Sequence, residues 1–184
     1  MSFYRFLSLV AFLAALLAGG GLVALAGKDR PTAPAAAGSA AQVDFVAELV
    51  ADTLGVRPVE TEARGRVEFT LVEGGGGLAY RIEVSDLEDA FMSHLHLGTA
   101  EDRYGSLVVW LWPDDGRRRE VLEGRFSGIL QEGVIRAENL TGALAHKELT
   151  DLLTAIRAGR IFADIHTRRN VPGELRGQVL IPSP

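Results

Sequence analysis

The 184-residue chain predicts an all-β protein: an antiparallel, Greek-key-like β-sandwich with one short amphipathic helix, preceded by an N-terminal hydrophobic signal or anchor helix. Three observations carry this. Apolar and polar residues alternate at period two through most segments after residue 43, the pattern of half-buried strands. Glycine and proline, 21 and 7 of them, fall largely between those segments and mark turns. A single later segment switches to helical spacing, so helices do not make a layer of their own.

The chain opens on an apolar run, Phe6 to Ala26, behind Arg5. About 20 such residues cross a bilayer as a helix, and Ala24-Leu25-Ala26 has the small-x-small spacing of a signal-peptidase site. Residues 1–26 are therefore read as a signal peptide or a membrane anchor. Both place the remainder outside the cytoplasm, secreted or membrane-anchored, and an uncleaved segment 6–26 makes the membrane a partner. Residues 27–42, with Pro31, Pro34 and a run of alanines, form a Pro/Ala-rich linker. Residues 43–184 form the domain.

Within it, Phe45, Ala47 and Leu49 suggest a first strand. Val67, Phe69 and Leu71, then Leu78, Tyr80, Ile82 and Val84, predict a hairpin around Gly74 to Gly77. That glycine run joins two strands and opens no helix, so it does not read as a phosphate cradle. A strand carrying His94 and His96, the apolar run Leu107 to Trp112, and Arg125 to Leu130 follow, then Arg160 to His166 and Glu174 to Ile181. The last puts Leu175, Val179 and Ile181 on one face. Leu149, Leu152, Leu153 and Ile156 stand at i, i+3, i+4 and i+7, which predicts a helix over Lys147–Ala158, stopped by Gly159, that covers an open end or face of the sheet core.

Composition removes several functions. There is no cysteine, which excludes disulfides, thiolate metal sites and cysteine nucleophiles. The formal charge is −5, and removing residues 1–26 takes away Arg5 and no acid, leaving 18 basic against 24 acidic residues. An acidic domain argues against nucleic acid. Arg117-Arg118-Arg119, flanked by Asp114, Asp115 and Glu120, reads as a solvated hairpin tip. No serine or threonine stands in a nucleophile setting, and no catalytic residue or organic-cofactor motif is identified.

What remains is a divided set of histidines. His94 and His96 lie two apart on a strand, about 6.6 Å along one face, and His166 ends another strand. Three imidazoles so placed can hold copper or zinc at about 2.0 Å. Asp164 shares the face of His166, where it either orients a ligand from behind by accepting its ring N–H or stands as an ordinary polar residue of the strand face. The competing reading is a half-buried polar face whose histidines hydrogen-bond to Thr167, Glu174 or backbone. Glu174, Arg176 and Gln178 form a polar stripe, either an internal ladder or a recognition surface. Trp110 and Trp112 suit core or interface packing, His146 reads as solvent-facing, and Asn139-Leu140-Thr141 is a glycosylation sequon.

These residues also carry a resemblance. Val56 to Gly65, His94-Leu95-His96-Leu97-Gly98, Val108-Val109-Trp110-Leu111, Leu140-Thr141-Gly142 and the leucine-rich helix fall in order, followed by Ala158-Gly159, Ile165-His166-Thr167 and Pro172 to Gln178. Together they resemble the CHRD domain, the module named from chordin and common in exported bacterial proteins, from about Phe45 to Ile181. Arg57 stands where that family often has proline, and Asp164 where asparagine is usual. The resemblance implies an all-β extracytoplasmic domain and carries over no catalytic residues. Growth-factor-binding modules such as accompany it in chordin are not seen in the chain, so antagonism of bone morphogenetic proteins is not inherited. Two functions follow: a non-catalytic module binding an envelope or extracellular protein, or a copper or zinc protein using His94, His96 and His166, with redox chemistry at an open position.

Overall fold

In the computed structural model, residues 42–54, 58–102, 104–114, 116 and 121–183 are described. The leader, nearly all of the linker, and Arg117–Arg119 lie outside them. Seven strands and one α-helix follow in the order β1 Phe45–Ala51, β2 Arg64–Leu71, β3 Leu78–Leu97, β4 Ser106–Trp112, β5 Leu122–Ile135, α1 Leu149–Arg157, β6 Ile161–Thr167 and β7 Leu175–Gln178. All pairings are antiparallel. The path β2-β1-β7-β6-β3 closes on itself because β2 also pairs with β3, while β4 and β5 branch from β3. The all-β sandwich expected from the alternation is thus a sheet closed into a barrel-like sandwich.

One strand holds this arrangement together. β3 runs for 20 residues, pairing β2 and β5 along its first part and β6 and β4 along its last. The sequence pattern suggests two strands here; the chain makes one, bent where Asp86 and Asp89 take left-handed φ values of 54° and 51°. Register shifts against β5 flank both residues. An extra residue in a strand bends it and increases its twist, and local hydrogen bonds hold the bend. Asp86 N–H donates to Ser127 Oγ at 2.9 Å, and Asp89 Oδ1 accepts from Gly124 N–H at 2.7 Å.

β4 carries two bulges of its own, at Val108 and Leu111, where its register against β3 skips. The carbonyls freed from the ladder find partners elsewhere: Val108 O accepts from Thr141 N–H at 2.9 Å, and Leu111 O from the Tyr80 hydroxyl at 2.6 Å. Buried backbone groups are almost always satisfied in this way.

The alternation places Val67, Phe69, Leu78, Tyr80, Ile82, Val84 and Leu95 in one core. The helix spans Leu149–Arg157 and buries Leu149, Leu152, Leu153 and Ile156 as its periodicity requires. Asp151 Oδ2 accepts from Glu148 N–H at its start. At its end Gly159, at φ 65°, sets up the paired closing bonds Arg160 N–H to Ala155 O and Gly159 N–H to Ile156 O. The β7 ladder stops at Gln178, with one further bridge from Leu180 to Val46. Ile181 is therefore exposed, where alternation alone puts it on the buried face.

Candidate metal centre

The last part of β3 and the whole of β6 lie side by side, and their register builds the site. Met92 faces His166, His94 faces Asp164, and His96 faces Phe162. Since alternate residues share a face, these six side chains occupy three adjacent rungs on the side of the sheet opposite Leu95. Four of them bring ligand-capable atoms within 4.8 Å of one another: His94, His96, Asp164 and His166. Residues 70 positions apart in sequence meet because two strands pair.

The cluster is largely covered although it lies on the outer face, with three members buried and the His96 side chain 14% exposed. His94, Asp164 and His166 are 3%, 2% and 7% exposed. His96 stacks on Phe162 with centroids 4.9 Å apart, and Trp110 packs edge-on to His94 at 4.3 Å. The β3–β4 connection folds back over this region. It is tied by Arg176 Nη1 donating to Asp102 O at 2.7 Å and by Ala100 N–H donating to Gln178 Oε1 at 2.8 Å. A Cβ at Gly105 would stand 2.9 Å from His96 Cβ and 2.7 Å from the Phe162 ring, so only glycine fits there.

Backbone carbonyls set the tautomers. His96 Nδ1 lies 3.0 Å from Gly105 O, and His166 Nδ1 lies 2.7 Å from Val171 O. A carbonyl only accepts, so each Nδ1 carries hydrogen and each neutral ring has a bare Nε2. Both Nε2 atoms then face Asp164 Oδ2, at 3.0 Å from His96 and 3.2 Å from His166. His94 Nδ1 is 3.4 Å from Asp164 Oδ1. None of these approaches has the direction of a hydrogen bond. Both His94 nitrogens, the two Nε2 atoms and Asp164 Oδ1 are buried without a hydrogen-bonding partner. Lone pairs pointed at a carboxylate repel, so the cluster requires positive charge at its centre, as protons or as a cation.

The protonation equilibria follow from this crowding. Burial alone pushes the Asp164 carboxyl up, but contact with His166, His94 and His96 outweighs it and holds the group well below the usual carboxylate range. Burial lowers the pKa of His94, with Asp164 opposing the shift and the neighbouring imidazoles adding to it. His166 goes the other way: burial would lower it, but Asp164 and the Val171 carbonyl raise it.

Asp164 was read either behind a ligand or as an ordinary polar residue; it stands among the three imidazoles. The stripe Glu174, Arg176 and Gln178 lies on the same outer face, with Arg176 beside Asp164 and Gln178 beside Phe162. Glu174 is buried and accepts from Thr61 Oγ1, Thr167 Oγ1 and Asn170 Nδ2 at 2.7, 2.6 and 2.8 Å. Arg176 lies 4.6 Å over the Phe162 ring and 3.4 Å from Asp52 Oδ2, and Gln178 donates to Gly159 O at 3.1 Å. Thr167 and Glu174, foreseen as partners of the histidines, instead bond to each other. His146 lies exposed ahead of the helix, outside the cluster. Trp110, Phe162, Gly105 and Val171 were not singled out for this site. The pairing of His-x-His with Asp-x-His was the available signal, since antiparallel i, i+2 pairs face one another once the register is known.

The fold and site define an all-β domain with a buried His/Asp cluster on one sheet face. The chain belongs to the CHRD domain family, whose model matches residues 45–179. No curated protein and no solved structure matches it.

Proposed function

We propose that this CHRD domain is an extracytoplasmic binding module with a first-row transition-metal centre, copper or zinc, held by His94, His96 and His166. The observation that supports it is the convergence of bare, buried imidazole nitrogens on one carboxylate, an arrangement that a cation relieves and that uncharged hydrogen bonding does not. Imidazole is a preferred donor for both ions. Carbonyl-bonded Nδ1 atoms orient His96 and His166 as the outer partners of metal-bound histidines do. Family membership supports a general binding role and a place outside the cytoplasm. In this proposal residues 6–26 serve as signal or anchor, and the domain meets an envelope or extracellular protein.

Metal analysis of the full chain, loaded with copper or zinc and dialysed, tests the centre. One ion per chain is expected, lost in His94→Ala with His96→Ala. Less than a stoichiometric ion, or unchanged binding in the double variant, overturns it. A pull-down from envelope extract tests the partner, and the absence of any saturable protein counts against it.

A further inference from the structure

The geometry points to a closed, four-coordinate zinc-class centre in which Asp164 is a direct ligand and no position is open to an outside ligand. This rests on the metal-centre reading above, and it changes what the ion does: it crosslinks β3 to β6 instead of carrying chemistry.

Three observations lead there. First, a tetrahedral ion with bonds near 2.0–2.1 Å puts its ligand atoms about 3.3 Å apart. Asp164 Oδ2 stands 3.0 and 3.2 Å from His96 Nε2 and His166 Nε2, near the edge length of such a polyhedron, while His94 Nδ1 meets the other oxygen, Oδ1, at 3.4 Å. A carboxylate acting only from behind a ligand would instead bond the ring nitrogen remote from the ion. Here the remote nitrogens of His96 and His166 are taken by Gly105 O and Val171 O, and Asp164 meets the other side. Second, Asp164 Oδ1 is buried without a hydrogen bond, a costly position for a carboxylate oxygen unless a cation meets it. Third, the remaining two positions of the three-rung face are Met92 and Phe162. Phe162 lies flat against His96, and the β3–β4 connection is fastened across the adjoining rungs by Arg176 and Gln178.

Three nitrogens and one oxygen in a closed tetrahedral set favour zinc over copper(II), which prefers tetragonal coordination. Each strand supplies two ligands, so the ion spans the pairing of β3 with β6 as a covalent staple would.

Cobalt(II), a visible stand-in for zinc, tests this in the full chain. One bound cobalt with the intense visible bands of tetrahedral coordination, unchanged by excess azide, is the expected result. Asp164→Asn should weaken cobalt binding by more than about 100-fold and alter those bands, beyond the roughly 10–100-fold loss from removing an outer-shell partner. Bound cobalt whose bands are weak, or shift with azide, overturns the closed centre while the metal reading stands. Asp164→Asn binding cobalt with wild-type affinity and spectrum overturns direct ligation. Failure of the wild-type chain to bind cobalt and zinc overturns both readings. The azide arm uses only wild-type protein and holds if Asp164→Asn does not fold.

Discussion

The two ends of β3 obey the same alternation and meet different fates. From Leu78 to Val84, the inward residues join the core and the outward ones, Arg81 and Glu83, stay exposed with ion pairs at 3.4 Å to each other and 3.8 Å from Arg81 to Glu132. From Met92 to Leu97, Leu95 takes the inward place, but the outward His94 is as buried as the core. Beyond the bends at Asp86 and Asp89, different partners flank the strand, and the β3–β4 connection and Trp110 cover its outer side. Period two says which way a side chain points. What lies above it decides whether it is wet.

Removing a core side chain should cost both ends alike and most. Ile82→Ala and Leu95→Ala are each expected to destabilise by about 2–5 kcal/mol, measured by denaturant unfolding. A loss below about 1 kcal/mol at Leu95 would mean that the histidine-bearing end is loosely packed. Zinc should separate the ends next. At a hundredfold excess over its Kd it adds about 2.7 kcal/mol, an increment that His94→Ala abolishes and Arg81→Ala retains. An equal increment in both variants would place the ion elsewhere.

Titration separates the ends more finely. With chelator present, His166 contributes stability that is complete below the ordinary histidine value of 6.5 and is lost as pH rises through its raised pKa. His94 has the opposite sign, because its lowered pKa makes the fold lose stability as pH falls below 6.5. Thermal melts across the neutral range should show both limbs, with His166→Gln removing the alkaline one and His94→Gln the acidic one. A single limb shared by both variants would show that the imidazoles titrate as one unit. With zinc bound the dependence should simplify, the increment shrinking on acidification as protons compete for the ligands.

The smallest effect belongs to the wet end. Arg81→Ala should change stability by no more than about 1 kcal/mol, since its ion pairs are exposed and screened. A larger loss would mean that β5 depends on that pairing to stay against β3.

Much of the architecture is legible from alternation because each strand has one face on the core. Leu149, Leu152, Leu153 and Ile156 locate the helix for the same reason, as burial repeats with the helix turn. The continuity of β3 is not legible, since Asp86 and Asp89 look like turn residues and only the flanking strands hold them as bulges. The candidate ligands His94, His96 and His166 are readable as residue types at strand spacing. Asp164 is readable as a neighbour on their face, but its place among the imidazoles is not, because that depends on the register that sets His94 against it. An internal ladder was one reading of the stripe Glu174, Arg176 and Gln178, but its hydrogen bonds to the β3–β4 connection were not legible.

By itself, then, the amino-acid order determined which side most strand residues face, where the helix runs and which nitrogens could bind a metal. These follow from local geometry, two residues per strand repeat and 3.6 per helical turn. The tertiary structure alone decided that strands 70 residues apart would pair in the register that gathers three imidazoles and a carboxylate, and that a loop would pack against His96 beside them. Register and covering are long-range properties, set by how the closed sheet packs around its core.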